Sequence, residues 1–534
     1  MDFYGEDIDM GSEFDFKRLN RRGFGKILVA GVGGLAGCAT GGRWLSGGQE
    51  SEGARGASEF LHPSGKTAAG VQTVDVVVVG AGLSGLIAAK KLSEKGRSVL
   101  VLDARRRIGG RMHLEPTIAE GVLDIGGQWV GETQSAVLSL LDELSIKKFD
   151  SYIDGKSMLS WNGALSEFNG DVSKVLEGHF GASEADRIAM SYAWQKFMDI
   201  ARTVSASTPW TTPNAAQLDS QTFASWMEKI TGNAFARWVP SVQARIGGSG
   251  GFEPGEASLL HMAWTQRVGP QSEHPETWLL HGGAGQVPGM LARALQNRIV
   301  LDARVTEIMR TPNGVTVATQ GMRVHAKAVI VAIPPSLRAG IRFTPELPAV
   351  YYGFMQRSPM GAISKVHAVY PTAFWRDRKI SGTALGNLKT CEFIADSSPP
   401  SGRPGILTSF IAGQRNVELS GAPPEVIRSE VLADFQYFFG REAANPAEFV
   451  YCNWEREGLT GGAFTAYLPP DGWTIYGKGW REPVDNIFWA GTETSDRWPG
   501  YFDGAVRAGE NAADAIEQDV NFSTAVSVAA GAYA

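Results

Sequence analysis

The residues best equipped for chemistry in this chain are glycines, an acid and arginines at fixed spacing. Gly80-Ala81-Gly82-Leu83-Ser84-Gly85 forms a GxGxxG turn. It follows Asp75-Val76-Val77-Val78-Val79, a β-branched run typical of a strand buried on both faces, and it opens a helical stretch from Leu86 to Lys95. In that order the glycines have separate tasks: Gly80 permits the tight turn, Gly82 lets backbone approach a pyrophosphate, and Gly85 lets the helix pack on the strand. The helix N-terminus then faces the phosphates with its positive end. A second strand, Ser98 to Leu102, ends at Asp103, whose carboxylate is placed to accept from a ribose hydroxyl. A bound dinucleotide is the chemistry this pattern predicts. Just beyond, Arg105 and Arg111 are placed to meet pyrophosphate oxygens, whereas Arg106 and Arg107 read as a solvated basic loop. A further glycine-rich turn, Gly126-Gly127-Gln128-Trp129, adds a flat aromatic.

The elements that must hold this site come from a chain of 534 residues, 43% hydrophobic and 20% charged, enough for two lobes with separate cores. A net charge of −6 gives no nucleic-acid footprint. The cysteines Cys38, Cys391 and Cys452 are too few for a disulfide scaffold, and no Cys/His spacing resembles a zinc site, so no metal is expected. Residues 151–275 carry helical periodicity, as in Glu184 to Val204, and residues 340–450 mix strands with helices.

The first seventy residues read as an address label. Asn20-Arg21-Arg22-Gly23-Phe24-Gly25-Lys26 is a close match to the twin-arginine export pattern, with Asn20 in place of the usual Ser/Thr, and leads into a weakly apolar run, Ile27 to Ala36, too short to span a bilayer. Leu35-Ala36-Gly37-Cys38 resembles a lipobox, with Cys38 as the acylated residue, and residues 39–70 form a Gly/Ser/Ala-rich tether. The expectation is an exported, periplasmic protein carried folded by the twin-arginine translocation machinery, with two readings open for Cys38: an acylated lipoprotein anchor, or a small residue near an ordinary cleavage site.

Further motifs carry a resemblance to the flavin-containing amine oxidase family, the monoamine oxidase-like proteins, over nearly all of residues 71–520. They are Gly282-Gly283-Ala284-Gly285-Gln286-Val287-Pro288, Arg304-Val305-Thr306-Glu307-Ile308, Ala328 to Pro335, and Ile487-Phe488-Trp489-Ala490-Gly491-Thr492-Glu493-Thr494 followed by Trp498-Pro499-Gly500-Tyr501-Phe502-Asp503-Gly504-Ala505. The resemblance implies an α/β fold in which a Rossmann-like FAD-binding domain (71–150, 276–340 and 451–520) is interleaved with an α+β substrate-binding domain (151–275 and 341–450), followed by a tail at 521–534. It implies FAD as cofactor, with Val305 backbone at the adenine, Gly491 and Glu493 near the ribityl chain, and the helix from Phe502 aimed at the flavin. Gly127, Gln128, Trp129 and Trp454 join Gly80, Gly82, Gly85, Asp103, Arg105 and Arg111 as expected cofactor contacts. Lys365 matches a lysine that holds a water against flavin N5. Tyr501 matches one wall of an aromatic cage around the substrate amine, and Phe464 falls on the opposite wall, where many members have tyrosine. Ala463 stands where some members carry a flavin-linked cysteine, so the FAD is expected to be non-covalent.

The reaction implied is hydride transfer from the carbon beside a small primary or secondary amine to flavin N5, giving an imine that hydrolyses to an aldehyde or ketone. O2 or a periplasmic electron carrier serves as acceptor, and a homodimer is a candidate assembly. Three alternatives stay open: an L-amino acid oxidase, with Arg245, Arg267 and Arg376 as candidates for a carboxylate clamp; a polyamine oxidase, with Glu132, Glu177 and Glu253 as tunnel acids; and a flavoprotein without amine turnover. The family's membrane-bound members end in an anchor helix, whereas the tail after Asp519 is short and built of small residues.

Overall fold

The computed structural model describes residues 72–118, 121–169, 183–247, 250–269, 276–295 and 297–519. The export motif, Cys38, Glu177 and the tail from 521 lie outside them. In chain order the main strands are β1 (Gln72–Val79), β2 (Val99–Leu102), β3 (Lys156–Trp161), β4 (Ala164–Asn169), β5 (Ile299–Val300), β6 (Val305–Thr311), β7 (Gly314–Thr319), β8 (Arg323–Val331), β9 (Arg342–Thr344), β10 (Ile363–Tyr370), β11 (Ile380–Gly386), β12 (Phe393–Asp396), β13 (Gly405–Ala412), β14 (Glu448–Asn453) and β15 (Ile487–Trp489). Four helices matter to the site: α1 (Leu83–Glu94), α2 (Leu259–Val268), α3 (Gln286–Ala294) and α4 (Phe502–Gln518).

The valine run becomes the centre of the first sheet, ordered β9-β6-β7-β8-β1-β2-β5 with β15 also on β8. β1 lies parallel to both β8 and β2, so Val76, Val77 and Val78 alternate between two buried faces. Each buried valine contributes roughly 1.5–3 kcal/mol of transfer free energy, which explains why this strand is apolar throughout rather than alternating. On one face α1 packs against α4, with Leu86, Ile87, Val506 and Ile516 in one core. The crossing is close because α4 carries Gly509, where a Cβ would stand 2.3 Å from the Ser84 carbonyl oxygen. The opposite face packs Val77, Val79, Phe343 and Trp489.

The second sheet runs β14-β10-β13-β12-β11-β3-β4, with β10 antiparallel between β13 and β14. Its faces bury two further cores, one with Trp194, Phe197 and Trp264, the other with Trp375 and Phe435. The chain therefore visits the first sheet, the second, the first, the second and the first again.

The structure departs from the sequence-based boundaries in three places. β9 pairs in parallel with β6, extending the first sheet past residue 340. β14 crosses the 450/451 boundary and pairs Cys452 with Lys365 in the second sheet. The segment 151–275 begins with the hairpin β3–β4 before its helices, because strands this short give a weak period-2 pattern beside the twenty-residue helix Glu184–Thr203. That helix is closed by a capping box between Ser183 and Asp186. Among the described residues, no helix is long and apolar enough to cross a membrane.

Candidate active site

At the end of β1 the chain turns at Gly80, whose φ is +108° and whose hypothetical Cβ would meet the Ala332 carbonyl oxygen at 2.8 Å. Only glycine fits that turn. Gly82 caps α1, and a Cβ there would find nothing within 4 Å, so the backbone faces open space. At Gly85 a Cβ would stand 2.0 Å from the Gly80 carbonyl oxygen, which is the close helix–strand approach expected of the third glycine. The Asp103 carboxylate accepts from the Ala81 N–H at 2.7 Å and from the Arg105 N–H at 2.8 Å. It clamps the turn, and each oxygen keeps a further lone pair for a hydroxyl donor.

Gly80, Gly82 and Asp103 line a groove of about 710 Å³, together with Arg105, Arg111, Gly491 and Phe502. The groove suits FAD on two counts. Open backbone at the helix N-terminus provides a phosphate cradle. Arg105 donates to Thr460 Oγ1 at 2.6 Å yet leaves its buried Nε without a protein partner, a donor that an anion would satisfy. Arg111 holds Glu493 in a two-pronged ion pair at 2.5 and 3.0 Å and also donates to the Phe464 carbonyl oxygen at 2.5 Å. One guanidinium thus joins the glycine turn, the aromatic loop and the C-terminal motif.

Phe464 and Tyr501 line the same groove. Gly500, next to Tyr501 and at φ +83°, brings backbone so near Phe464 that a Cβ there would touch Phe464 Cδ2 at 3.4 Å. Tyr501 caps α4 and packs edge-on against Trp498 at 5.0 Å. Burial pushes its phenol well above the ordinary value, so the ring stays neutral.

Lys365 is buried in the middle of β10, and its ammonium donates to Asp124 O at 2.7 Å, to Gly126 O at 2.8 Å and to Gln128 Oε1. All three hydrogens reach protein oxygens, so the ammonium clasps the second glycine turn. Burial drives its pKa down to about 7, opposed by the Asp124 charge. His367, two residues along the same face, offers Nε2 to the same Asp124 carbonyl at 3.1 Å and is pushed well below its usual value by burial. The Asp124 carboxylate accepts from the Ala284 and Gly285 N–H groups, both at 2.8 Å, ahead of α3.

Several expected cofactor contacts lie off the groove lining. Gln128 joins Lys365 to Ser397, donating to its Oγ at 2.8 Å, and the Trp129 ring lies 5.3 Å from Lys365 Nζ. Gly127 donates its N–H to Arg111 O at 3.2 Å. Trp454 is fully buried and donates to Ile125 O at 3.1 Å. Val305 is buried at the start of β6, two residues after Ala303, whose N–H reaches Asp103 O at 2.8 Å. Arg107 is not a solvated residue: its guanidinium folds back onto Ile108 O and Gly110 O at 3.2 and 2.9 Å, and burial lowers its pKa to about 10. Arg106 is the exposed one, paired with Asp302 at 3.3 Å. Two of the three candidate clamp residues are engaged elsewhere: Arg245 binds Glu253 and Glu392, and Arg376 binds Asp396.

Sequence reasoning missed Arg338. It is fully buried, donates to Ile333 O at 3.2 Å and Ala490 O at 3.0 Å, and lies 5.0 Å from the Trp489 ring. It ties together two loops that line the groove. Nothing in Ser336-Leu337-Arg338 distinguishes it from an exposed helix end. Among the described residues, no group of three His, Cys, Asp or Glu is arranged to hold a metal ion.

A parallel-sheet groove for a dinucleotide, lined also by the buried aromatics Phe464 and Tyr501, defines a two-lobed oxidoreductase. Residues 83–517 match the family of flavin containing amine oxidoreductases, and the chain belongs to it. It is 40% identical to an L-amino acid dehydrogenase of Synechocystis over 458 residues, covering 85% of this chain and 97% of that one. It is 33% identical to the flavin-containing amine oxidase A of Sus scrofa, over 83% of this chain and 85% of the other. Putrescine oxidase bound to putrescine superposes with a TM-score of 0.78 at 31% identity, covering 84% of this chain and all of the other. Cyclohexylamine oxidase from Brevibacterium oxydans gives 0.77 at 30% identity, covering 83% and 98%. The protein is an FAD-dependent oxidoreductase acting on amines, with the two-domain amine oxidase fold. Ala463, buried beside Phe464, has no thiol to bond to the flavin, and the FAD is held non-covalently.

Proposed function

We propose that the chain oxidises a small primary or secondary amine held in its uncharged form between Tyr501 and Phe464, and that it does so outside the cytoplasm. FAD, when bound, supplies the hydride acceptor. The protein's share is to orient the α-carbon, keep water out and select the neutral amine. The observation that supports this reading is that two buried aromatic residues, Phe464 and Tyr501, line the dinucleotide groove, with Gly500 beside Tyr501 closely approaching Phe464. Aromatic faces present π-electron density to the amine, and a dry pocket disfavours the ammonium. Phe464 lacks a hydroxyl, which leaves its side of the pocket apolar. Lys365 holds the turn Asp124–Gln128 and sheds a proton more readily than an exposed lysine. Imine hydrolysis would release an aldehyde or ketone.

Anaerobic titration of the yellow holoprotein with amines and amino acids tests this: amines should bleach the flavin, and air or an added electron carrier should restore it. A flavin that no amine bleaches would overturn it. The relationship to an L-amino acid dehydrogenase favours amino acids as the second reading, and the same panel separates the two. Export rests on Arg21-Arg22 and anchoring on Cys38. Lysines at 21 and 22 should leave folded holoprotein in the cytoplasm, and Cys38→Ser should free it from the membrane fraction. Unchanged fractionation would refute either assignment.

A further inference from the structure

Arg105 lines the dinucleotide groove, yet its aim is set by a turn that lies 355 residues further along the chain. Its Nη2 donates to Thr460 Oγ1 at 2.6 Å, and the Glu457 carboxylate stands 3.7 Å from the same nitrogen. Thr460 and Glu457 are both buried, so water competes little for either contact. A tight turn brings Thr460 to this place. Its N–H and that of Gly461 donate to Glu457 O at 2.8 and 2.6 Å, and the Leu459 N–H donates to Glu457 Oε1 at 3.2 Å. The guanidinium is thereby held at one corner, while its buried Nε has no protein partner.

That grip matters for binding an anion. An ungripped arginine spreads over many rotamers, and each bond it makes to a ligand must first offset that entropy. Arg107 is also buried close by: the Arg105 charge adds to burial in lowering its pKa, and the Glu457 charge opposes the fall. Glu457 thus offsets the repulsion between two arginines, and Thr460 fixes where one of them points. The remaining N–H groups of Arg105 stay available to phosphate oxygens.

The turn is set apart from the wall of the amine site. Gly461, at φ +75°, is a joint, since a Cβ there would meet nothing nearer than a Leu337 methyl at 4.0 Å. Beyond it the chain is seated on other partners. The Ala463 N–H donates to Gly361 O at 2.7 Å, and Phe464 O accepts from Arg111 at 2.5 Å.

We propose that Thr460 is a positioning residue for FAD, its hydroxyl pre-setting Arg105 so that the guanidinium meets the anionic phosphate end of the cofactor without reorganising. The test uses holoprotein, wild type, Thr460→Val and Thr460→Ser, and follows FAD release on dilution by the rise in flavin fluorescence. Thr460→Val should release FAD about tenfold faster, as expected when one hydrogen bond to a charged donor is lost. Thr460→Ser keeps the hydroxyl and should release it near the wild-type rate. In an Arg105→Met background Thr460→Val should change nothing further, because its effect runs through the guanidinium. Amide hydrogen exchange in Thr460→Val should quicken over residues 457–461 and not over 462–464. Thr460→Ala repeats the reading if valine prevents folding. Unchanged FAD release in Thr460→Val, or an equal acceleration in Thr460→Ser, would overturn the assignment. So would exchange that quickens through Phe464, which means general loosening, or an added loss in the Arg105→Met background, which makes Thr460 a direct contact of the cofactor.

Discussion

Substituting the two helix-proximal glycines separately should divide folding from cofactor binding. In Gly85→Ala the new methyl would sit 2.0 Å from the Gly80 carbonyl oxygen. An ordinary C···O contact is about 3.3 Å, so roughly 1.3 Å must be found by moving backbone. The opposing atom cannot swing away, because the turn is tethered by the Gly80 N–H on Leu102 O and the Ala332 N–H on Val79 O, both at 2.8 Å. Overpacking of this kind costs roughly 1–3 kcal/mol, a sizeable share of the 5–15 kcal/mol that holds a typical protein folded. Gly82→Ala is different. Its φ of −74° and ψ of 174° suit alanine, and nothing lies within 4 Å of the new atom. Losing the glycine cap should cost at most about 1 kcal/mol, yet the methyl fills the space where backbone would approach the pyrophosphate. Melting the FAD-free proteins and titrating FAD by fluorescence quenching reads both effects. Gly85→Ala should lose stability, whereas Gly82→Ala should melt near the wild type and bind FAD roughly tenfold or more weakly, about 1.4 kcal/mol. A Gly85→Ala protein as stable as wild type, or a Gly82→Ala protein with unaltered FAD affinity, refutes this account of the turn.

Other expectations are more local. Arg338→Met should cost roughly 1–3 kcal/mol for each carbonyl it leaves without a donor, and FAD should dissociate faster because Ile333 and Gly491 line the groove; unaltered FAD release would show that the two loops hold without it. His261 has neither ring nitrogen hydrogen-bonded, and burial lowers its pKa from 6.5 to about 3. The unfolded chain then binds a proton that the folded chain refuses, so stability falls as pH drops below about 6.5, by about 2 kcal/mol at pH 5. Denaturation of His261→Leu between pH 7.5 and 5 should lack that component, and parallel curves for the two proteins would count against it. For Lys365, depressed to about 7 from 10.5, the unfolded chain is the one more protonated between those values. Stability should therefore climb with pH across that window, and Lys365→Met should flatten the climb in urea titrations at pH 7 and 9.5; an equal slope in both proteins would assign it to other groups.

What the sequence determined unaided is the local part: the buried valine strand, the glycine turn, Asp103 at the end of the next strand and the helical periodicity from Glu184. These need only neighbours in the chain, because a turn's φ, a strand's burial pattern and a helix's period are set within a few residues. Motif resemblance added Lys365, Phe464 and Tyr501, but not their surroundings. Tertiary structure decided the rest. Only the packed chain brings Arg111 to Glu493, sets Arg107 and Arg338 inside, turns Gln128 toward Lys365, and consumes Arg245 and Arg376 in ion pairs. The pairs Arg111–Glu493, Lys365–Gln128, Arg245–Glu392 and Arg338–Ala490 join segments far apart in the chain, and an arginine's sequence neighbourhood does not say whether its charge will face water or a buried carbonyl.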